Sequence, residues 1–264
     1  MNPLNRLYRR ARRSFLDLKG YLDADRRLNG VVRRTDFTQC PRPVLLIYGF
    51  FGTRRSFEVI ERRLRRDGYC VFSINLGGMF DAFNTRGIDE SAEKVREKVE
   101  RLYARYKLGP LAIIGHSKGG LIGRYYVKRL GGDKRVQTLI TLGTPHNGSS
   151  TAYLGVAFLG PVAPSVWQMT PMSPFIRRLK IGSFPDRVRF SSVYSKDDRF
   201  CPFPAAMLET EGHPNLSNIE IKECTHREFL TRKKVYDVIK RELEAGEATQ
   251  RRLALGVVGG GDGD

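Results

Sequence analysis

The fold is decided by Leu111-Ala112-Ile113-Ile114-Gly115-His116-Ser117-Lys118-Gly119-Gly120, in which an apolar run leads directly into a Gly-x-Ser-x-Gly pattern. The residues that follow, Leu121 to Val127, have the apolar spacing of a helix. A strand, this pattern and a helix in succession are typical of a nucleophile elbow, a sharp turn that holds the serine hydroxyl at the carboxyl edge of a sheet. Ser117 is therefore the candidate nucleophile, although the same glycines would also suit an ordinary turn.

Strand and helix patterns alternate on both sides of this elbow. Strands are predicted at 44–48, 69–75, 111–114, 136–142, 188–194 and 219–221, and helices at 54–67, 89–106, 121–127 and 228–244. Continuous apolar strands in such an alternation predict an α/β fold with a mostly parallel central sheet covered by helices on both faces. Right-handed crossovers place the carboxyl ends of these strands at one edge, where ligands bind.

The domain organisation follows from breaks in this alternation. Residues 1–30 form a predicted basic amphipathic helix, residues 31–245 the α/β domain, and residues 246–264 a predicted disordered tail that ends in Gly-Gly-Gly-Asp-Gly-Asp. Residues 148–184 form an insertion that is rich in Gly, Ser and Pro and is predicted to be a lid. Its large apolar residues either contact an acyl substrate or bury one another, and the predicted contacts are Phe158, Trp167, Met169 and Phe175.

Composition limits the possible partners. The 264 residues include 46 Lys+Arg against 28 Asp+Glu, a net charge of +18, which favours anionic partners. No helix-turn-helix, zinc-finger or RNA-binding signature is present, so nucleic acid is not the expected partner. The basic helix at 1–30 either lies on an anionic membrane surface or docks on the rest of the chain. The sequence does not reveal the oligomeric state.

Cellular location and cofactors are also constrained. The sequence has no apolar run of eighteen residues and no recognisable signal peptide, so a cytoplasmic protein with reduced thiols is expected. The four cysteines lack the close spacing of a zinc site, and neither a metal nor an organic cofactor is expected. A disulfide between Cys201 and Cys224, which flank candidate catalytic residues, is the alternative for that pair.

A serine nucleophile needs a general base and a group that orients it. Asp197 and Asp198 both follow the predicted strand that ends at Tyr194, and the spacing of the residues does not choose between them. Of the four histidines, His226 follows the last predicted strand and is the expected base, with His213 as the alternative. The oxyanion donors are expected to be the backbone amides of Lys118, directly after the nucleophile, and of Phe50, in the Gly-rich loop after the first predicted strand.

Three motifs together resemble the α/β-hydrolase superfamily, and within it bacterial triacylglycerol lipases and carboxylesterases related to GPI-inositol deacylase-like lipases. They are Gly115-His116-Ser117-Lys118-Gly119-Gly120, Thr144-Pro145-His146-Asn147-Gly148 and Tyr48-Gly49-Phe50, and the likeness covers roughly residues 42–243. The resemblance implies hydrolysis of carboxylic esters by a triad of Ser117, His226 and Asp198. It favours Asp198 because the family's acid typically stands four residues before a proline, as Asp198 stands before Pro202.

The chain departs from the family at two positions. Tyr48-Gly49 replaces the usual His-Gly, and Lys118 replaces the commoner Met or Gln after the nucleophile. The Lys118 ammonium is expected either to pair with a carboxylate or to line the site. The predicted function is therefore a serine ester hydrolase that acts on lipid-like acyl esters. The alternatives are an acyltransferase or thioesterase with the same triad, or a non-catalytic hydrolase fold that binds membranes.

Overall fold

A computed structural model describes residues 36–50, 52–78, 84–159 and 163–254. Six strands in this part of the chain form one parallel sheet in the order β2-β1-β3-β4-β5-β6. The strands are β1 (Pro43–Ile47), β2 (Cys70–Ser73), β3 (Leu111–His116), β4 (Val136–Leu142), β5 (Arg189–Tyr194) and β6 (Leu216–Glu220). Every residue of β1, β3 and β4 is buried, as expected of a parallel sheet that is covered on both faces.

Helices connect these strands. They are α1 (Glu58–Arg66), α2 (Ile88–Arg105), α3 (Lys118–Arg129), α4 (Ala152–Leu159), α5 (Pro164–Gln168), α6 (Pro174–Lys180), α7 (Phe203–Ala206) and α8 (Lys233–Ala254). Short 3-10 turns occupy Arg54–Phe57, Gly132–Lys134 and Glu228–Leu230. In α2, the apolar residues Val95, Val99 and Leu102 recur at helical spacing and are buried, which is why this segment packs as an amphipathic helix.

The predicted α/β architecture is confirmed, and the differences lie at element boundaries. The last strand begins at Leu216, before the predicted start at Ile219, although none of its residues is fully buried. It is an edge strand, so its side chains show no continuous apolar run. The last helix runs to Ala254, into the segment for which the sequence predicts disorder.

The predicted lid segment contains the three helices α4, α5 and α6. Met169 and Phe175 are buried in the core, and the Phe175 ring stacks on Tyr125 at 5.4 Å between centroids. Trp167 is exposed, and the side chain of Phe158 lies outside the described residues. Met169 and Phe175 therefore pack in the core, as in the alternative that the segment's apolar residues bury one another.

A disulfide joins Cys40, ahead of β1, to Cys70 at the start of β2, with their Cα atoms 5.5 Å apart. Cys201 and Cys224 are both free and buried. The prediction that all thiols are reduced is wrong for Cys40 and Cys70, and the alternative pairing of Cys201 with Cys224 is also wrong. The pair differs from the reduced thiols expected from the sequence, since disulfides persist mainly in oxidising compartments.

The predicted basic helix at 1–30 lies outside the described residues, as does 255–264. Within the described ranges, no helix has the length and apolar character needed to cross a bilayer. The same ranges hold no group of three or more His, Cys, Asp or Glu side chains that could bind a metal ion.

Candidate active site

Ser117 forms the turn between β3 and α3. Its backbone is in a left-handed region, with φ 54° and ψ −128°, while its neighbours His116 and Lys118 belong to regular elements. Its N–H donates to the carbonyl oxygen of Leu142 at 2.9 Å, which ties the turn to the end of β4. Such backbone strain in a non-glycine residue is typical of functional sites, and here it leaves Ser117 partly exposed between two buried residues.

Gly119 shows why this turn needs glycine. A Cβ atom there would lie 2.0 Å from the carbonyl oxygen of Ile47, so any other residue would push α3 away from β1. The close packing brings the loop after β1 to the elbow as well, because a Cβ at Gly49 would lie 2.9 Å from the Cβ of Ser117. The Gly-rich loop predicted to supply an oxyanion donor therefore contacts the nucleophile candidate.

Asp198 and His226 form a hydrogen-bonded pair at the carboxyl edge of the sheet. His226 Nδ1 lies 2.7 Å from Asp198 Oδ2, and Asp198 Oδ1 accepts hydrogen bonds from the backbone amides of Phe200 at 2.9 Å and Cys201 at 3.0 Å. The carboxylate is buried, so these bonds fix its orientation. Because the Asp198 carboxylate accepts the hydrogen bond from His226 Nδ1–H, the tautomer with the proton on Nδ1 is favoured. The Nε2 lone pair of His226 is then left available as a base.

Asp197, which the residues alone could not exclude, points elsewhere. Its side chain is exposed, and Oδ2 accepts a hydrogen bond from the Glu223 amide at 3.0 Å. It therefore braces the loop that leads to His226 and does not contact the imidazole. The structure places Asp198 beside His226, as the family resemblance implied.

The two residues that follow β4 contact both the Ser117 turn and the Asp198–His226 pair. A Cβ at Gly143, directly after β4, would lie 2.8 Å from Asp198 Oδ2 and 3.1 Å from His226 Nδ1. The next residue, Thr144, donates its hydroxyl to the Ser117 carbonyl oxygen at 2.9 Å. The hydrogen bonds among the described residues do not include one from Ser117 Oγ to His226 in this conformation. Such bonds are often long in ligand-free sites and tighten when substrate binds.

The other histidines have separate positions. His116 is fully buried, and its Nε2 lies 2.9 Å from the His226 carbonyl oxygen, with the two rings 4.5 Å apart. Burial lowers the pKa of His116 well below its usual range, and the nearby His226 lowers it further, so His116 is a neutral brace for the His226 loop. His146 is buried against Thr141 and Phe190, and His213 lies near Arg124 and Lys128 in a separate cleft.

Tyr48 and Lys118, at which the chain departs from the family pattern, belong to one buried hydrogen-bond network. Lys118 Nζ donates to the Asn84 carbonyl oxygen at 3.0 Å, to Asn84 Oδ1 at 2.8 Å and to the Arg86 carbonyl oxygen at 2.5 Å. Asn84 Nδ2 in turn donates to the Tyr48 carbonyl oxygen at 2.9 Å, and the Tyr48 hydroxyl accepts from the Leu76 amide at 2.9 Å. Asn84 thereby connects the helix that begins after Ser117 with the loop that holds Gly49 and Phe50.

The Lys118 ammonium therefore does not pair with a carboxylate among the described residues, which was one of the two expectations from the sequence. The Lys118 side chain is fully buried, and its hydrogen-bond acceptors among the described residues are backbone and amide carbonyl oxygens. Burial lowers the pKa of Lys118 well below its usual range, against a smaller raising effect of Glu90. No sequence pattern singles out Asn84, since a single Asn in a loop has no distinguishing spacing.

Phe200 is a second residue that the sequence analysis did not select. Its ring lies 5.5 Å from the His226 ring, and its side chain is partly exposed. It places an apolar surface beside the candidate base. Its position two residues after Asp198 is the signal that could have found it.

Known proteins share this fold. A sequence profile described as alpha/beta hydrolase fold matches residues 42–161. The solved structure of a Bacillus licheniformis lipase in its mature form has a similar fold, with a TM-score of 0.59 and 16% sequence identity. The alignment covers 81% of the present chain and 96% of the lipase chain. The chain has an α/β-hydrolase fold.

Two curated relatives resemble parts of this chain. A triacylglycerol lipase of Pseudarthrobacter phenanthrenivorans is 33% identical over 118 residues, which cover 42% of this chain and 35% of that protein. A GPI inositol-deacylase of Candida albicans is 27% identical over 178 residues, which cover 61% of this chain and 39% of that protein. The chain therefore spans well under half the length of these relatives.

Proposed function

We propose that this α/β-hydrolase domain cleaves carboxylic esters of lipid-like acyl groups. The observation that carries the proposal is the buried Asp198–His226 pair, joined at 2.7 Å, at the same sheet edge as a serine held in a strained turn. This is the arrangement in which a serine hydroxyl, otherwise a weak nucleophile, is activated by an oriented base.

In the proposed reaction, Ser117 Oγ attacks the acyl carbonyl carbon while His226 Nε2 accepts the hydroxyl proton. The tetrahedral intermediate collapses and expels the alcohol, which takes that proton from His226 and leaves an acyl-serine ester. Water then attacks this ester with His226 as base, releasing the acid and regenerating Ser117. The backbone amides of Phe50 and Lys118 stabilise the oxyanion, and each such donor contributes roughly 10²–10³-fold to the rate.

The apolar surroundings support an acyl substrate. Phe200 lies beside His226, and Tyr153, Trp167 and Met172 are large exposed apolar side chains in the 148–184 segment. Two of the similar proteins are named as lipases, one of them a triacylglycerol lipase. We infer that the 148–184 segment acts as a lid over the acyl chain, with Trp167 and Phe158 as its candidate contacts.

A fluorophosphonate probe tests the nucleophile, because it phosphonylates only an activated serine. We expect the full chain to be labelled, Ser117→Ala to lose labelling, and Ser183→Ala, which removes an exposed hydroxyl, to retain it. Absence of labelling in the unmodified chain would contradict the proposal and favour a non-catalytic fold.

A series of p-nitrophenyl esters from short to long acyl chains tests the substrate class. We expect kcat/KM to rise with chain length beyond acetate because the longer chain buries more apolar surface, about 0.8 kcal/mol for each CH₂. Product analysis with alcohol acceptors present separates hydrolysis from acyl transfer. A new ester as the main product would identify an acyltransferase.

A further inference from the structure

Arg124, on α3, is a cation with too few partners. Its Nη1 donates to the His146 carbonyl oxygen at 3.4 Å, whereas its Nε is buried and has no hydrogen-bond partner among the described residues. Burial lowers the pKa of Arg124 to about 10. A guanidinium presents five N–H donors, and shielding them from water without acceptors is unfavourable. The position therefore calls for an acceptor that the described residues do not provide.

Arg124 lines a cleft of about 50 Å³ between α3, the end of α6 and the segment before β6. Lys128, one turn further along α3, and Lys180, on α6, line the same cleft. Glu209 also lines it and pairs with Lys180 at 3.2 Å, but this carboxylate is 83% exposed. His213 is a further titratable side chain in its wall.

The cleft has an excess of positive charge. Arg124, Lys128 and Lys180 face one carboxylate, so two positive charges are not balanced by its own walls. Among the described residues, Lys128 Nζ donates to two carbonyl oxygens, that of Gly182 at 2.5 Å and that of Lys180 at 3.3 Å. Burial lowers the pKa of Lys128 to about 8, and the charges of Arg124 and Arg129 lower it further. A bound anion would relieve this repulsion.

We propose that this cleft is a binding site for a phosphate group, supplied either as the free ion or as a phosphate monoester headgroup. A phosphate dianion matches the two unbalanced charges. It also offers several oxygen acceptors to the planar Arg124 guanidinium and to the point charge of Lys128. Ser117, Asp198 and His226 do not line the cleft, so the site is separate from the proposed triad and does not depend on the proposed function.

Calorimetric titration of the full chain with inorganic phosphate, at constant ionic strength set with chloride, tests the site. We expect saturable binding of one phosphate per chain. Arg124→Gln should weaken binding at least tenfold, since charge-assisted bonds to a partly buried anion are lost. Glu209→Gln should tighten binding several-fold, because it removes the carboxylate that competes for the cations. Arg62→Gln, which removes an exposed charge on α1, should leave binding unchanged.

If Arg124→Gln fails to fold, Glu209→Gln keeps the test decisive, because Glu209 is exposed and its substitution does not disturb the core. Lys128→Gln is the second variant, and we expect it to weaken phosphate binding several-fold. Parallel titration with glycerol 3-phosphate identifies the source: tighter binding than inorganic phosphate indicates a headgroup, and equal or weaker binding indicates the free ion. Absence of saturable binding to either probe would overturn the proposal. So would unchanged binding in Lys128→Gln, or weaker binding in Glu209→Gln.

Discussion

Asp197 and Asp198 show how neighbouring identical side chains acquire different environments. Asp198 is buried and accepts hydrogen bonds from two backbone amides and from His226, whereas Asp197 is exposed and accepts one from Glu223. The residue pattern left the two equal, because sequence does not show which of two adjacent side chains points toward the sheet edge. Asp198 was favoured only by the family resemblance, because it stands four residues before Pro202 as the family's acid typically stands before a proline.

Asp198→Asn should therefore lower kcat by roughly 10⁴-fold, since an amide N–H facing Nδ1 favours the wrong imidazole tautomer. Asp197→Asn is the matched control, and an effect on kcat of no more than about twofold is expected for an exposed side chain. Steady-state ester hydrolysis measures both. A larger loss in Asp197→Asn than in Asp198→Asn would reverse the assignment of the acid.

The Lys118–Asn84–Tyr48 network should act on catalysis through position. Lys118→Met keeps the backbone amide but leaves buried acceptors on Asn84 and Arg86 unsatisfied, at about 1–3 kcal/mol for each group. Because the network holds the loop with Gly49 and Phe50 against the elbow, we expect kcat to fall roughly tenfold with KM little changed.

A double-mutant cycle with Asn84→Ala tests whether the two residues act as one unit. A coupling of about 0.5–3 kcal/mol in kcat is expected for residues that share a network. Lys107→Met, at an exposed position, is the control. Additive effects of Lys118→Met and Asn84→Ala would show that Lys118 does not act through Asn84.

At the scale of elements, the disulfide fixes the segment before β1 to β2. A cross-link spanning a sequence separation of 30 residues stabilises the fold by about 3–4 kcal/mol in the chain-entropy account. Replacing both Cys40 and Cys70 with Ser should therefore lower Tm by about 5–10 °C, measured by calorimetry.

A thiol titration in denaturant provides the independent check. Two reactive thiols, Cys201 and Cys224, are expected before reduction, and all four cysteines after it. Four thiols in the unreduced chain would show that the bond does not form.

The helices and strands were predictable wherever apolar periodicity was strong, as in β3, β4 and α2. The disulfide was not, since Cys40 and Cys70 meet only when β1 and β2 pair. The burial of Met169 and Phe175 was also undecided, because apolar residues in an irregular segment suit a lid and a core equally well. Long-range pairing decides these features, and local sequence does not encode it.

For the molecule as a whole, the net charge of +18 favours contact with anionic membranes. We propose that the basic segment 1–30 binds anionic lipid surfaces, where each Lys or Arg contributes about 1 kcal/mol. In the full chain, changing Arg9, Arg10, Arg12 and Arg13 to Gln should reduce flotation with phosphatidylserine-containing vesicles at least tenfold.

Changing Arg62, Arg66, Lys107 and Lys233 to Gln, four exposed positions, removes the same number of charges and controls for net charge alone. Pure phosphatidylcholine vesicles should bind none of these proteins strongly. Equal flotation of the arginine variant and the unmodified chain would favour docking of this segment on the protein.

The strand order also determines when the site can exist during synthesis. From β3 onward each new strand adds to the free side of the previous one, so the sheet grows in the order in which the ribosome releases the chain. Ser117 emerges early, whereas Asp198 and His226 follow β5 and β6. A nascent chain therefore carries its serine without a base until the last strand docks. In the proposed mechanism, all three members of the triad therefore come together only late in biogenesis.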